Sequence, residues 1–186
     1  MILCVRHGQS AFNAAYEETG IDPMLFDARL TPKGEAQVLA AREALRHVPF
    51  DLVVASPLTR ALQTALGIFE GHFSNPRFVV EALHRERAES SCDVGRPPSA
   101  LLADYPMLEF SHLPEVWWHD DGDPNALGLR TEPLETMMER MAHFRAFLSS
   151  RPERRIAVVG HGTFFYHLTG TFLPNCGMIE VEMETA

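Results

Sequence analysis

Arg6-His7-Gly8, Arg60 and the sequence Gly160-His161-Gly162 are the residues whose types suggest chemistry. A phosphoryl group leaving an ester spreads charge over its equatorial oxygens, so a catalyst working without metal needs fixed cationic or N–H donors around one nucleophile. Arg6, Arg60 and His161 can supply such donors, and a planar guanidinium grips two phosphate oxygens while staying charged. His7 is a nucleophile only if its attacking ring nitrogen is unprotonated, which a hydrogen bond at the other nitrogen would secure. The plainer alternatives are surface ion pairs for the arginines and hydrogen-bonded core positions for the histidines.

These residues need elements to hold them together. Ile2 to Val5 is an apolar run that stops at Arg6, as a buried parallel strand ending in a loop does. Thr31-Pro32 reads as an N-cap and first helical position for a helix over Gly34 to His47, closed by Pro49. Asp51 to Ala55 is a second strand, and Ser56-Pro57 begins a helix carrying Arg60 in its first turn and running to Phe69. Arg77 to Val80 is a third short strand. Arg155 to Val159 is a later strand that ends at Gly160, followed by a helix over Thr163 to Phe172 and a last strand over Met178 to Met183. Leu134 to Leu148 has helical periodicity.

Alternating strands and helices imply an α/β fold, a three-layer α/β/α sandwich with a largely parallel central sheet. Ligands bind outside the carboxyl ends of strands in such folds, and His7, Arg60 and His161 all fall at strand ends, so the reading predicts that they converge. The 186 residues suit a single domain with an inserted substrate-pocket region at about 81–130, where Pro97-Pro98 leads into a short helix and the rest is irregular.

The opening segment Leu3 to Ser10 with Asn13 resembles the signature of the histidine phosphatase superfamily, the phosphoglycerate-mutase-like clan. Leu30-Thr31-Pro32-Lys33-Gly34-Glu35-Ala36-Gln37, Ser56-Pro57-Leu58-Thr59-Arg60-Ala61-Leu62-Gln63-Thr64 and Val159-Gly160-His161-Gly162 resemble further family segments in the same order. The resemblance implies a histidine acid-type phosphatase, a hydrolase of phosphate monoesters, in which His7 attacks phosphorus in line and a main-chain hydrogen bond orients its ring. It also implies that His161 stays beside the transferring group and stabilises the phosphoenzyme.

A departing alcohol needs a proton, which a carboxylic acid with a raised pKa can give. Glu86 is the candidate, because Leu83-His84-Arg85-Glu86 resembles the family's Leu-x-Glu region with the glutamate displaced by one position, and Cys92-Asp93 follows as in some members. Glu81 and Glu89 are the alternatives. Asn13 is expected to bind a phosphate oxygen; Ser10 either does the same or shapes the loop. Gly8, Gly160 and Gly162 lack side chains that would crowd a phosphate near the backbone. Arg85, Arg87, Arg96 and Lys33 either contact a second anionic group or form a solvated face. Trp117 and Trp118 are read as packing residues more than as pocket walls. Asp120, Asp121 and Asp123 lack calcium-loop spacing and read as a solvated turn, so no metal site is expected.

Composition removes other classes. A net charge of -9, with 25 acidic against 16 basic side chains, gives no general attraction to nucleic acid or anionic membranes. Cys4, Cys92 and Cys176 form neither a disulfide framework nor a zinc pattern, which suits reduced thiols in a cytoplasmic protein. Nothing in residues 1 to 5 looks like a secretion signal. The expected partner is a small phosphorylated substrate, with a phosphoprotein as an alternative; no cofactor, nucleic-acid or membrane partner is expected, and the residues specify no oligomeric state. The main functional expectation is a metal-independent phosphomonoesterase. Its alternatives are a phosphoglycerate mutase, a protein-phosphohistidine phosphatase and a noncatalytic phosphate-binding protein of the same fold.

Overall fold

The computed structural model describes residues 1–182. Its centre is a five-stranded sheet in the order β3-β2-β4-β1-β5, built from β1 (Ile2–Arg6), β2 (Leu52–Ala55), β3 (Arg77–Val80), β4 (Ile156–Gly160) and β5 (Met178–Val181). The first four are parallel to one another, and β5 runs antiparallel to β1. Six α-helices accompany the strands among the described residues: α1 (Ala11–Thr19), α2 (Pro32–Leu45), α3 (Thr59–Phe69), α4 (Pro98–Asp104), α5 (Leu134–Ser149) and α6 (Gly162–Thr169).

Strand alternation sends side chains to both faces, and each face has its own core. Val5, Val53, Ala55, Ala157 and Val159 pack toward α2 and α3, with Leu62, Ile68 and Phe69 buried among them. Cys4, Leu52, Val54, Ile156 and Val158 pack toward α5 and α6, against Met137, Phe144, Phe164 and Phe165. The result is a three-layer α/β/α sandwich with a largely parallel sheet.

Register does the positioning. Arg6 pairs with Gly160, and Ala55 pairs with Val159, so β1, β2 and β4 finish at nearly the same level. The ladders then run one residue further: the His7 N–H donates to Gly160 O at 2.9 Å, and the Ser56 N–H to Val159 O at 3.1 Å. His7, Ser56 and His161 thereby leave the same edge of the sheet together.

Local boundaries depart from the sequence reading in four places. α1 is a helix that periodicity did not reveal, because among its residues only Phe12 is buried; a capping box between Ser10 and Asn13 starts it and left-handed Gly20 (φ 66) ends it. α3 begins at Thr59, since Ser56-Pro57-Leu58 continues extended before the chain turns. α6 stops at Thr169, because Gly170 takes φ 75 and its N–H bonds back to Tyr166 O. α2 ends at Leu45, short of His47, whereas its start at Pro32 with Thr31 Oγ1 accepting from the Gly34 N–H at 3.0 Å follows the expected cap. The expected end of the last strand at Met183 lies outside the described residues.

Between β3 and α5, single 3-10 turns occupy Ala82–His84 and Ser91–Asp93. Beyond α4, Leu108, Phe110, Leu113 and Trp117 are buried in the core on the α2/α3 face. Trp117 is a packing residue: its indole N–H donates to Arg96 O at 2.8 Å, and its ring lies where a Cβ on Gly95 would sit.

Candidate active site

A cavity of about 130 Å³ opens at the carboxyl edge of the sheet, lined by Arg6, His7, Phe12, Asn13, Arg60, Glu86, Arg87, Glu89, Ser90, Cys92, Asp93 and Thr163. Two roomier depressions, of about 410 and 380 Å³, lie against Met24 to Arg29 and between α2 and α3; neither is lined by a histidine. The small cavity is where the chemistry converges.

His7 is 3% exposed, and its Nδ1 lies 2.7 Å from Gly8 O. A carbonyl can only accept, so Nδ1 carries the proton and Nε2 presents its lone pair. The Arg60 Nε–H donates to that lone pair at 3.2 Å. Burial, then the charges of Arg60 and Arg6, hold the His7 pKa well below the usual histidine value, against the opposing pull of the Gly8 carbonyl. The ring is therefore neutral near pH 7.

His161 is fully buried, with its ring centroid 5.3 Å from that of His7. Its Nε2 lies 2.7 Å from Ser56 Oγ, while Nδ1 has no hydrogen-bond partner among the described residues. Burial, followed by Arg60 and His7, depresses its pKa as well. His161 can thus offer an N–H but not a standing positive charge, which falls to the arginines.

Arg60, 2% exposed, is held by Cys92 O at 2.6 Å from Nη1 and by Asp93 Oδ1 at 2.9 Å from Nη2. Burial pulls its pKa down, but the acidic surroundings, Asp93 and Glu86 among them, carry it above the ordinary value. Thr64 ties this helix to the His7 loop: its Oγ1 accepts from the Gly8 N–H at 3.0 Å and donates to Arg60 O at 2.7 Å. Arg6 is fixed by Leu173 O at 2.6 Å from Nη1 and lies 4.9 Å from the Phe172 ring centroid; its Nε is unpaired among the described residues.

Glu86 reaches the first turn of α6, where its carboxylate accepts from the Thr163 and Phe164 N–H groups, both at 3.0 Å. Those donors, with the Arg87 N–H, favour the charged form. Burial and the nearby Asp93 outweigh them and push the Glu86 pKa up. The alternatives sit elsewhere or face solvent. Glu81 Oε1 caps the 3-10 turn through the Leu83 N–H, and exposed Glu89 pairs with Arg87 at 2.7 Å.

Asn13 lines the cavity with its amide oriented: Oδ1 accepts from the Ser10 N–H at 3.2 Å and from Asn175 Nδ2 at 3.4 Å. That leaves the Asn13 Nδ2 donors for a ligand. Ser10 is occupied by the cap, since its Oγ accepts from the Asn13 N–H at 3.1 Å. Of the other cations named from sequence, Arg87 alone lines the cavity. Arg85 pairs with Glu132, Arg96 with Asp27 and Asp104, and Lys33 is exposed on α2. Asp120 pairs with Arg130 and Asp121 accepts from Gly122 N–H, as in a solvated turn.

The glycines need a correction. A Cβ on Gly8 would stand 2.8 Å from Gly34 O, and one on Gly160 would meet the rings of Phe165 and His84 at 2.8 and 3.1 Å. Close packing of protein against protein therefore requires these glycines. At Gly162 the neighbour is the Arg6 guanidinium, 3.1 Å away. Asp93 and Asn175 carry structural work at the site that the sequence reading left unassigned. Asp93 was visible only as half of the Cys92-Asp93 pair; Asn175, whose Nδ2 also donates to His7 O at 3.0 Å, had no motif around it.

A neutral imidazole facing two arginines, with a carboxyl of raised pKa across the cavity, is an arrangement with the cations and the free lone pair that a phosphoryl group calls for. Residues 2–182 match the family model for the histidine phosphatase superfamily (branch 1), and the chain belongs to that superfamily. A phosphoglycerate mutase-like protein of Arabidopsis thaliana is 28% identical over 206 residues, spanning 92% of this chain and 74% of the relative. Among solved structures, a mycobacterial glucosyl-3-phosphoglycerate phosphatase superposes with TM-score 0.59 at 21% identity, covering 95% of this chain and 88% of its own. A phosphoserine phosphatase of Entamoeba histolytica does so with TM-score 0.53 at 18% identity, covering 95% and 87%. Among the described residues, no helix is long and apolar enough to cross a membrane.

Proposed function

We propose that the protein is a metal-independent phosphomonoesterase that works through a phosphohistidine on His7. The observation that carries this reading is the His7 Nδ1–Gly8 O contact, which fixes the tautomer and leaves the Nε2 lone pair facing the arginines. An entering phosphoryl group exchanges the Arg60–His7 hydrogen bond for bonds from Arg60, Arg6 and Asn13 to its oxygens. His7 Nε2 then bonds to phosphorus as the P–O bond to the alcohol breaks, and the departing oxygen takes the proton of Glu86. His161 donates an N–H to the transferring group. Water next attacks the phosphohistidine, giving a proton to the Glu86 carboxylate, releasing inorganic phosphate and restoring His7.

Hydrolysis is favoured over a mutase cycle by the cations at the cavity. A mutase must also hold a second anionic group, yet Arg85 and Arg96 are engaged in structural ion pairs and Arg87 is tied to Glu89 and to Glu132 O. The substrate is a small phosphomonoester whose alcohol part lies toward Phe12, Arg87, Glu89 and Ser90. The test is hydrolysis of p-nitrophenyl phosphate in excess EDTA by wild type and His7→Ala. Chelator-resistant, His7-dependent turnover is expected; turnover that survives His7→Ala, or that EDTA abolishes, would overturn the proposal.

A further inference from the structure

Glu132 is 0% exposed and lies far from Glu86 in sequence, at the foot of α5, yet it is the hub of the segment that carries Glu86. Its carboxylate takes Arg140 through both oxygens, from Nε at 3.0 Å and Nη2 at 2.7 Å, and accepts Arg85 Nη2 at 2.9 Å. Its backbone N–H donates to Ala88 O at 2.8 Å, and its carbonyl accepts from Arg87 Nε at 2.9 Å. Arg140 Nη1 in turn holds two carbonyls, Leu83 O at 2.7 Å and Arg85 O at 2.9 Å. The segment from Leu83 to Ala88 is therefore fastened on both sides of Glu86.

The same guanidinium reaches the other surface that Glu86 touches. Arg140 Cζ lies 5.4 Å from the Phe164 ring centroid, and the Phe164 N–H is one of the donors to the Glu86 carboxylate. A buried carboxylate shared by two arginines is a weak source of net stability, because desolvation offsets the attraction. What this arrangement does supply is a fixed geometry.

We propose that Glu132 and Arg140 are positioning residues for the general acid: they lock the 83–88 segment so that the Glu86 carboxyl spans the gap between the first turn of α6 and the phosphoryl cavity. Neither is among the residues lining the cavity, and both act on it through the backbone of the 83–88 segment. The inference rests on the proposed role of Glu86 as proton donor. It predicts a defect confined to steps that need the acid.

The experiment is a double-mutant cycle between Arg140→Lys and Glu86→Gln, read as kcat and KM on an activated nitrophenyl phosphate and on an alkyl phosphate. Arg140→Lys is expected to lower kcat on the alkyl ester about tenfold, with KM and the activated ester changed by less than about threefold. With Glu86→Gln already present, adding Arg140→Lys should cost the alkyl ester nothing further, because both changes act through one group. Equal losses on both esters, or additive losses in the double variant, would overturn the positioning role. If Glu86→Gln alone slows both esters equally, the acid assignment itself fails and the inference falls with it. Should Arg140→Lys not fold, Glu132→Gln, which keeps the side chain's size but removes the charge that both Arg140 and Arg85 pair with, is carried through the same cycle, and the same selectivity and non-additivity decide.

Discussion

The side of the cavity that carries His7 and the side that carries Glu86 are built by different means. His7, Ser56 and His161 sit where they do because parallel strands finish in register, and backbone hydrogen bonds carry the ladder one step past the strands. Glu86, Asp93 and the residues between them lie on irregular chain broken by single 3-10 turns, held by side-chain ion pairs and carbonyl clamps. Backbone ladders fix the sheet edge whichever side chains leave it, apart from the tightly packed Gly8 and Gly160, whereas the loop is held through the side chains of its ion pairs. The Glu86 side is thus the part most easily broken by one substitution.

That contrast can be tested in descending order of effect. His7→Ala should reduce turnover by about 10⁴-fold or more while the circular dichroism spectrum and melting transition stay near wild type, since the sheet, and not the imidazole, holds the loop. Glu86→Gln should slow alkyl esters by about 10²- to 10⁴-fold and activated aryl esters much less, measured across leaving groups of increasing pKa. Because burial and the nearby Asp93 raise the Glu86 pKa, wild-type turnover of the alkyl esters should persist above pH 4.5 and fall as pH rises through the raised value. Asp93→Asn should reduce kcat/KM about tenfold and also lower the urea midpoint, as it leaves the buried Arg60 guanidinium without its charged partner.

A smaller effect distinguishes the two regions by pH. His7 and His161 have folded pKa values depressed below the ordinary 6.5, so the unfolded chain binds protons first as pH falls. The stability associated with their neutral forms is present above about pH 6.5 and lost as pH falls toward the folded values. Urea midpoints measured from pH 7 down to pH 5 should therefore decline, and His161→Gln should shallow that slope. A slope unchanged in the variant would mean that His161 is not held neutral by its site.

How much of this was legible in the sequence follows the same division. The strands, the Thr31-Pro32 helix start and the meeting of His7, Arg60 and His161 could be read because apolar runs, caps and strand-end motifs are local signals. Glu86 stood out only through a displaced motif, and spacing alone does not show that Glu81 caps a turn while Glu86 and Glu89 line the cavity. Asn175 and Glu132 could not be read, because each acts through contacts with chain far away in sequence. The glycines misled for a related reason: their neighbours are Gly34 O, Phe165 and His84, which spacing alone does not place. α1 escaped because a nine-residue helix with Phe12 as its one buried side chain carries little apolar period.

The central claim is a covalent phosphorus–nitrogen bond at His7 Nε2. Rapid quenching at alkaline pH during turnover of ³²P-labelled monoester, followed by acid treatment and peptide mapping, tests it most directly. The account predicts an acid-labile, alkali-stable label on the peptide containing His7, absent in His7→Ala. Turnover with no label formed, or a label on another residue, would contradict it.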